Sequence, residues 1–470
     1  MALPRMLRRR RLWLYLAGGL VVLAGAGVLV YFTLVKAPED VRNDDVEFTE
    51  EEPAPPPPKA RAETFVWPIY GYTPDRARYL PEGPAPPFRR IWQFNARDLL
   101  EYPPVLAKGT LYVINRSGTV FAVSAKNGSL KWQKKIGTEN AASPAYANNR
   151  LYVPSFTDGL VALDARTGKK LWSKPIPDGT ESGPLVKDGR IYLGSGTGKV
   201  YALNAKGGGE VWTHQADGPV KGALAFSEGR LYFGDYAGEV TAVRVDNGKP
   251  IWNTGTAGAT FGRAGNFYGT PAVAFGRVYV GNTDGKVYSF SARTGDLAWT
   301  QTTGGFVYSA PSAAKVPGTK ASVYIGSDDG NLYALDAKTG DVRFKFDAGG
   351  SIYGGVSTIG RIVYFSSFGG VALGVDAATG KRAFKLDSGR YASAISDGQR
   401  LYVTGYSSIQ GYVPKGKPSQ DEGGRDSRRP SGKGDRPSKA KDPTDGRVPD
   451  RGRKRRRKVP VPKEDRPVRR

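Results

Sequence analysis

The 470-residue chain contains no cysteine. That absence excludes a disulfide framework, a thiolate metal site, a catalytic thiol and a lipid-modified N-terminal cysteine. It carries one histidine, His214, so multi-histidine metal clusters are excluded and imidazole catalysis would rest on a single position. His214 lies at the exit of a predicted strand just after Trp212 and reads as an ordinary surface residue. Long helical patterns are scarce as well. Instead, 62 glycines and 34 prolines break the chain into short segments joined by tight turns, the habit of a protein made of many strands.

The formal charge of +25 is unevenly spread. The segment 414–470 holds 21 Lys and Arg against nine Asp and Glu, and Arg5 and Arg8 to Arg11 crowd the N-terminus. This tail, rich in Lys, Arg, Pro, Gly and Ser and including Arg453 to Lys458, reads as disordered. It contains no aromatic side chain for base stacking, so nucleic acid is not the expected partner. An anionic cell-wall polymer or lipid headgroup suits it, and a solubilising tail without a fixed partner is the alternative.

Residues 14–35 form the one apolar run long enough to cross a bilayer as a helix of about 20 residues. Arginines precede it within a basic segment, 1–13, and acids follow it. The expected topology is a single-pass signal anchor in the cell membrane, with the N-terminus cytoplasmic and the rest extracytoplasmic. A cleaved signal peptide is the competing reading, but its apolar region would be shorter and a small-residue cleavage site would follow. Residues 36–60, acidic and ending in a proline run, read as a stalk. Residues 61–88 read as an irregular leader that lies against the folded domain without forming strands.

From 89 to 413 the sequence repeats. A tyrosine inside a motif that reads roughly Gly-Arg-hydrophobic-Tyr-hydrophobic returns at Tyr112, Tyr152, Tyr192, Tyr232, Tyr279, Tyr324, Tyr364 and Tyr402. A second motif, Ala-x-Asp-Ala-x-Thr-Gly followed by an aromatic residue, places rings at Trp132, Trp172, Trp212, Trp252, Trp299, Phe344 and Phe384, and Trp92 supplies the eighth. Repeats of about forty residues with four short strands are the length and pattern of propeller blades. The predicted fold is all-β: an eight-bladed β-propeller with N- to C-terminal strand closure, plus one N-terminal transmembrane helix and a disordered linker and tail. The final unit lacks a ring-bearing strand, and the segment around Trp92 is such a strand without a blade, so joining the two closes the ring.

The run Ala334 to Gly340 and its equivalents ending in Trp resemble the tryptophan-docking repeat of the pyrroloquinoline quinone (PQQ)-like propellers, which include quinoprotein alcohol dehydrogenases and BamB-like proteins of outer-membrane assembly. Trp67 to Gly71, followed by Arg76 and Arg78, is similar to the leader that precedes such propellers. The resemblance implies fold more than function, because this fold hosts enzymes and scaffolds alike. Quinoprotein members hold the quinone against a disulfide of adjacent cysteines and bind calcium through Glu, Asn and Asp. The first is impossible here, and no carboxylate aligns with the second. No cofactor and no metal are expected, and Gly194 to Lys199, superficially a phosphate-binding loop, reads as a hairpin turn.

Eleven residues before most of the repeat tyrosines, where the innermost strand of each blade begins, stand Glu101, Ala141, Glu181, Lys221, Tyr268, Tyr308, Tyr353 and Tyr391. A tyrosine arc thus faces a polar arc around one end of the central channel, suited to sugars, quinones or peptides. Packing between blades is the plain alternative for these rings. The loop 253–266, longer than its counterparts, falls beside the arc. The expected function is non-catalytic binding or scaffolding for an envelope protein or polysaccharide. A PQQ- and calcium-dependent dehydrogenase and an envelope ligand sensor are the alternatives.

Overall fold

The computed structural model describes residues 39–50, 64–139, 142–256 and 265–416. The expected membrane helix, the basic segments at both ends, Ala141 and the centre of the 253–266 loop lie outside these. Among the described residues every regular element is a strand, and no helix is long and apolar enough to cross a membrane.

Eight antiparallel four-stranded blades follow one another. The second is representative: Ala145–Ala147, Arg150–Ser155, Gly159–Asp164 and Lys170–Lys174, from channel to rim. Tight turns with Gly in the left-handed region, such as Gly159 (φ 69°) and Gly168 (φ 71°), reverse the chain at low steric cost. The second and third strands are buried on both faces because each blade is sandwiched between two others: Leu151, Tyr152 and Val153 are all at most 2% exposed. Gly194 to Lys199 indeed joins two strands of the third blade. Each innermost strand begins on one face of the propeller, called here the mouth face. The hairpin between second and third strands and the end of the outermost strand lie on that same face.

The ring closes as expected. Phe88–Asn95 forms the outermost strand of the eighth blade, antiparallel to Ser408–Pro414, with Trp92 opposite Gly411.

Neighbouring blades are joined by the repeated ring. Trp132 donates its indole N–H to the Ala165 carbonyl of the next blade at 3.0 Å, and Trp92, Trp212, Trp252 and Trp299 repeat the contact at 3.1 to 3.2 Å. Beneath each indole lies the glycine of the next blade's Thr-Gly, Asn-Gly or Gly-Gly turn. A Cβ on Gly168 would stand 2.8 Å from Trp132 Cε3, and Gly128, Gly248 and Gly340 sit equally close under Trp92, Trp212 and Trp299. The two halves of the motif therefore belong to different blades: the ring of one rests on the glycine of the next. The repeat tyrosines reinforce it, Tyr152 reaching the Ala205 carbonyl at 3.0 Å and Tyr324 that of Ala377 at 3.0 Å. At the eighth blade the third and fourth strands come from opposite ends of the chain, so the receiving turn is missing. Phe384 packs on Phe88 and Tyr412 instead, and the buried Tyr364 hydroxyl has no hydrogen-bond partner.

Two segments differ from expectation. The leader is not merely laid against the propeller. Val66–Trp67 pairs with the innermost strand of the first blade and Tyr79–Leu80 with that of the seventh. Between them the chain runs around the channel, and its carbonyls accept backbone N–H groups from the inner strands in blade order: Tyr146 to Pro68, Phe226 to Pro74, Val273 to Asp75, Ala313 to Ala77, Thr358 to Arg78. Inner strands bordering a channel have a free hydrogen-bonding edge, and the leader satisfies it. Nor is the acidic segment a free stalk throughout. Residues 39–50 run along the outer edge of the fifth blade, with Arg42 bridged to Trp299, and Asp40 pairs with the buried Lys286 at 3.2 Å. Arg293 of the fifth blade and Lys315 of the sixth pair with Glu47 and Glu50, so three of the acids that argued for solvation in sequence find basic partners on the propeller.

Substituting Gly168 by Ala adds both a strained φ and an overlap with Trp132, whereas Gly189 (φ 75°) has open space around it. Gly189→Ala should cost about 1 kcal/mol from backbone strain alone. Gly168→Ala should cost that plus roughly 1–3 kcal/mol of overpacking. Urea unfolding of both variants measures the difference, and equal losses would contradict the docking account.

Candidate binding face at the channel mouth

The leader fills the channel from the side opposite the mouth. Arg76 and Arg78 are fully buried. The Arg76 guanidinium donates to the Leu224 carbonyl at 2.8 Å, to that of Gly183 at 3.1 Å and to that of Tyr70, so it ties the third and fourth blades to the leader. Burial pushes Arg76 down to about 9, and the neighbouring Arg78 adds to the effect. The Arg78 guanidinium lies 3.7 Å over the Tyr70 ring, whose hydroxyl accepts the Gly355 N–H at 3.0 Å. Tyr102 stands edge-on to Tyr70 at 5.3 Å. A column of Arg78, Tyr70 and Tyr102 therefore leads from the plug toward the mouth.

Above it, the structure brings the predicted tyrosines together. Tyr268, Tyr308 and Tyr353 meet edge to face at 5.7 and 5.3 Å. Tyr353 does not touch Tyr391 directly; Phe368 stands between them, 4.6 Å from one ring and 4.8 Å from the other. At the other end Tyr236 extends the band, 6.2 Å from Tyr268. These rings are half-buried, so they pack on one another between blades and also line the mouth.

Phe368 and Tyr236 were not singled out from sequence, although a signal was present. Each stands four residues after a repeat tyrosine, at the tip of the hairpin between second and third strands, a position also held by Tyr406 and Asp328. Asp328 accepts the Tyr353 hydroxyl at 2.6 Å, and Arg390 lies 4.5 Å over Phe368. The aromatic band is thus built from two rings of positions, of which the sequence pattern exposed one.

The polar side is equally organised. Glu181 forms an ion pair with Lys221 at 2.8 Å and accepts the Tyr268 hydroxyl at 3.2 Å. Burial raises the Tyr268 hydroxyl, and Glu181 adds to the shift. Glu101 is held above the usual carboxylate range by burial; Arg116 opposes the shift and Glu139 and Glu181 add to it. Among the described residues no three His, Asp or Glu side chains converge as a metal site. His214 is half-buried on the rim beside Phe233, away from the mouth, and burial lowers it.

A sequence profile of the family described as outer membrane protein assembly factor BamB matches residues 89–180, 157–305 and 284–416. The chain belongs to the BamB family. Among solved structures, this BamB-family propeller is similar to BamB from Moraxella catarrhalis, with a TM-score of 0.57 and 18% identity over 71% of this chain and 99% of that one. It is similar also to the quinohemoprotein alcohol dehydrogenase of Comamonas testosteroni, with a TM-score of 0.63 and 15% identity over 78% and 83%. The computationally designed protein Ika8 matches at 0.60 with 15% identity over 69% and 99%. At such identities the likeness is one of fold. No curated protein matches the sequence.

The raised Glu101 predicts a pH dependence. The folded state holds this proton to higher pH than the unfolded chain, so ionising Glu101 costs stability above its folded value and nothing below its unfolded value near 4.5. Glu101→Gln should therefore raise the melting temperature at pH 7 and leave it unchanged at pH 4. A variant with no gain at pH 7 would contradict the assignment.

Proposed function

We propose that this BamB-family chain is a membrane-anchored extracytoplasmic binding module whose mouth face takes a protein or cell-envelope polysaccharide, without catalysing a reaction. The continuous aromatic band from Tyr236 to Tyr391 carries the reading. It adjoins the Glu181–Lys221 pair through Tyr268 and Tyr236, and offers stacking surface with hydroxyl and carboxylate groups to orient a ligand. The family's description as an assembly factor supports a protein partner. The run 14–35 supports attachment to the membrane, and the basic tail suits an anionic cell-wall polymer or lipid.

The quinoprotein relatives raise the alternative of a PQQ- and calcium-dependent dehydrogenase. The residues present do not fit that group. Adjacent cysteines are impossible, Glu181 is already engaged by Lys221 and Tyr268, and Trp67, Tyr70, Arg76 and Arg78 of the leader occupy the channel centre.

The test compares the full chain with a Tyr268→Ala/Tyr308→Ala variant. Crosslinking in intact envelopes should capture a partner with the native protein and at least tenfold less with the variant, while both melt within a few degrees of each other. Titration with PQQ and calcium should give neither a quinone absorbance change nor dye reduction. Turnover would overturn the non-catalytic reading, and loss of folding in the variant would assign the tyrosines to the core.

A further inference from the structure

The course of the acidic segment determines from which side the chain reaches the propeller. It runs antiparallel to the outermost strand of the fifth blade. Asn43 donates to the Ala298 carbonyl at 2.7 Å and Thr300 to that of Val41 at 3.1 Å, while Asp40 accepts from Thr302 at the strand's end. Thr302 leads directly into Thr303 to Tyr308, so Asp40 lies on the mouth face. At its other end, Thr49 donates to the Phe275 carbonyl, in the turn after the innermost strand and therefore on the opposite face. The chain thus arrives at the mouth rim and leaves at the far face. The last strand, Ser408–Pro414, likewise ends on the far face.

Three residues, 36–38, stand between Val35, the end of the apolar run, and Glu39, and the four Cα-to-Cα steps span at most about 14 Å. If 14–35 crosses the bilayer, the mouth rim at the fifth blade stands within that distance of the point where the chain emerges. Two orientations satisfy this tether: the edge of the fifth blade toward the membrane, or the mouth face toward it. The edge is covered by the segment itself and, among the described residues, presents no exposed large apolar side chain to a membrane. On the mouth face stand the two most exposed large aromatic residues among those described, Phe306 at 50% and Tyr406 at 49%. Phe306 lies 6.0 Å from Tyr308, and Arg390 lies 5.9 Å from the Tyr406 ring. Exposed aromatic rings beside an arginine suit the interfacial layer of a bilayer. The other exposed apolar residues, Leu130, Leu171, Val211, Ile251 and Val342, are spread one to a blade around the rim and form no patch.

We propose that the mouth face lies against the headgroup layer of the membrane that the anchor crosses, with Phe306 and Tyr406 at the interface. This rests on the anchoring part of the proposed function. The tyrosine band and its acids then meet groups presented at the membrane surface, and the far face, on which Ser408–Pro414 ends, points away from it.

The absence of cysteine makes the test direct, because one introduced thiol is a unique labelling site. Full-length protein carrying Phe306→Cys, Tyr406→Cys or Lys338→Cys, the last exposed in a far-face turn, is labelled with a bimane fluorophore. Each is reconstituted into phosphatidylethanolamine–phosphatidylglycerol liposomes containing a headgroup nitroxide lipid. Quenching at 306 and 406 should be at least threefold that at 338. Release of the protein by alkaline carbonate would overturn the anchor and this orientation together. Retention in the membrane with equal or reversed quenching would overturn the orientation alone. Shielding of 306 and 406 in native membranes but not in liposomes would assign the face to a membrane protein and overturn the lipid contact.

Discussion

Each blade of this propeller has two large apolar faces and cannot bury them alone. The contact that solves this is an aromatic ring of one blade resting on a glycine of the next, with the indole N–H bonded to the adjoining turn carbonyl. A glycine is required for two reasons at once: the turn needs a left-handed residue, and any Cβ would collide with the ring. A linear stack of such units leaves one ring and one glycine unpaired at its ends. The structure removes those ends by lending the N-terminal strand around Trp92 to the last blade, where it docks on Gly128 of the first.

The leader solves the matching problem at the centre. The inner strands converge on a channel with free N–H groups, and carbonyls from Phe65 to Leu80 accept such groups from six of the eight blades. Tyr72, Arg76 and Arg78 adopt left-handed backbone to do so, a strain of about 1–2 kcal/mol each that the regained hydrogen bonds offset. The consequence for function is that the channel is occupied by the protein's own side chains. The surface that the proposed function assigns to a ligand is the mouth, floored by Tyr102 and walled by the aromatic band.

Much of this was legible in the sequence, and the limits follow from locality. Blade number, the four strands of each blade and the closing role of Trp92 are carried by repeats, whose period survives even where single residues drift. The tyrosines at 268, 308, 353 and 391 were found because they share one register position. Phe368 and Tyr236 share another, but only some blades place a ring there, so the period was harder to see. The leader and the acidic segment have no period at all. Their partners are long-range, such as Arg277 donating to the Val46 and Glu47 carbonyls. An acidic segment reads as solvated until the blade that neutralises it is known.

The seam in the eighth blade is held by the same antiparallel ladder and the same ring-on-glycine contact as a blade made from one continuous segment. Native-state hydrogen exchange tests it most directly. Amides bonded across Phe88–Asn95 and Ser408–Pro414 should exchange only through global unfolding, with the same free energy as those of Lys199–Asn204 in the third blade. Exchange of the seam amides at a distinctly lower free energy, while the third blade stays protected, would contradict the account.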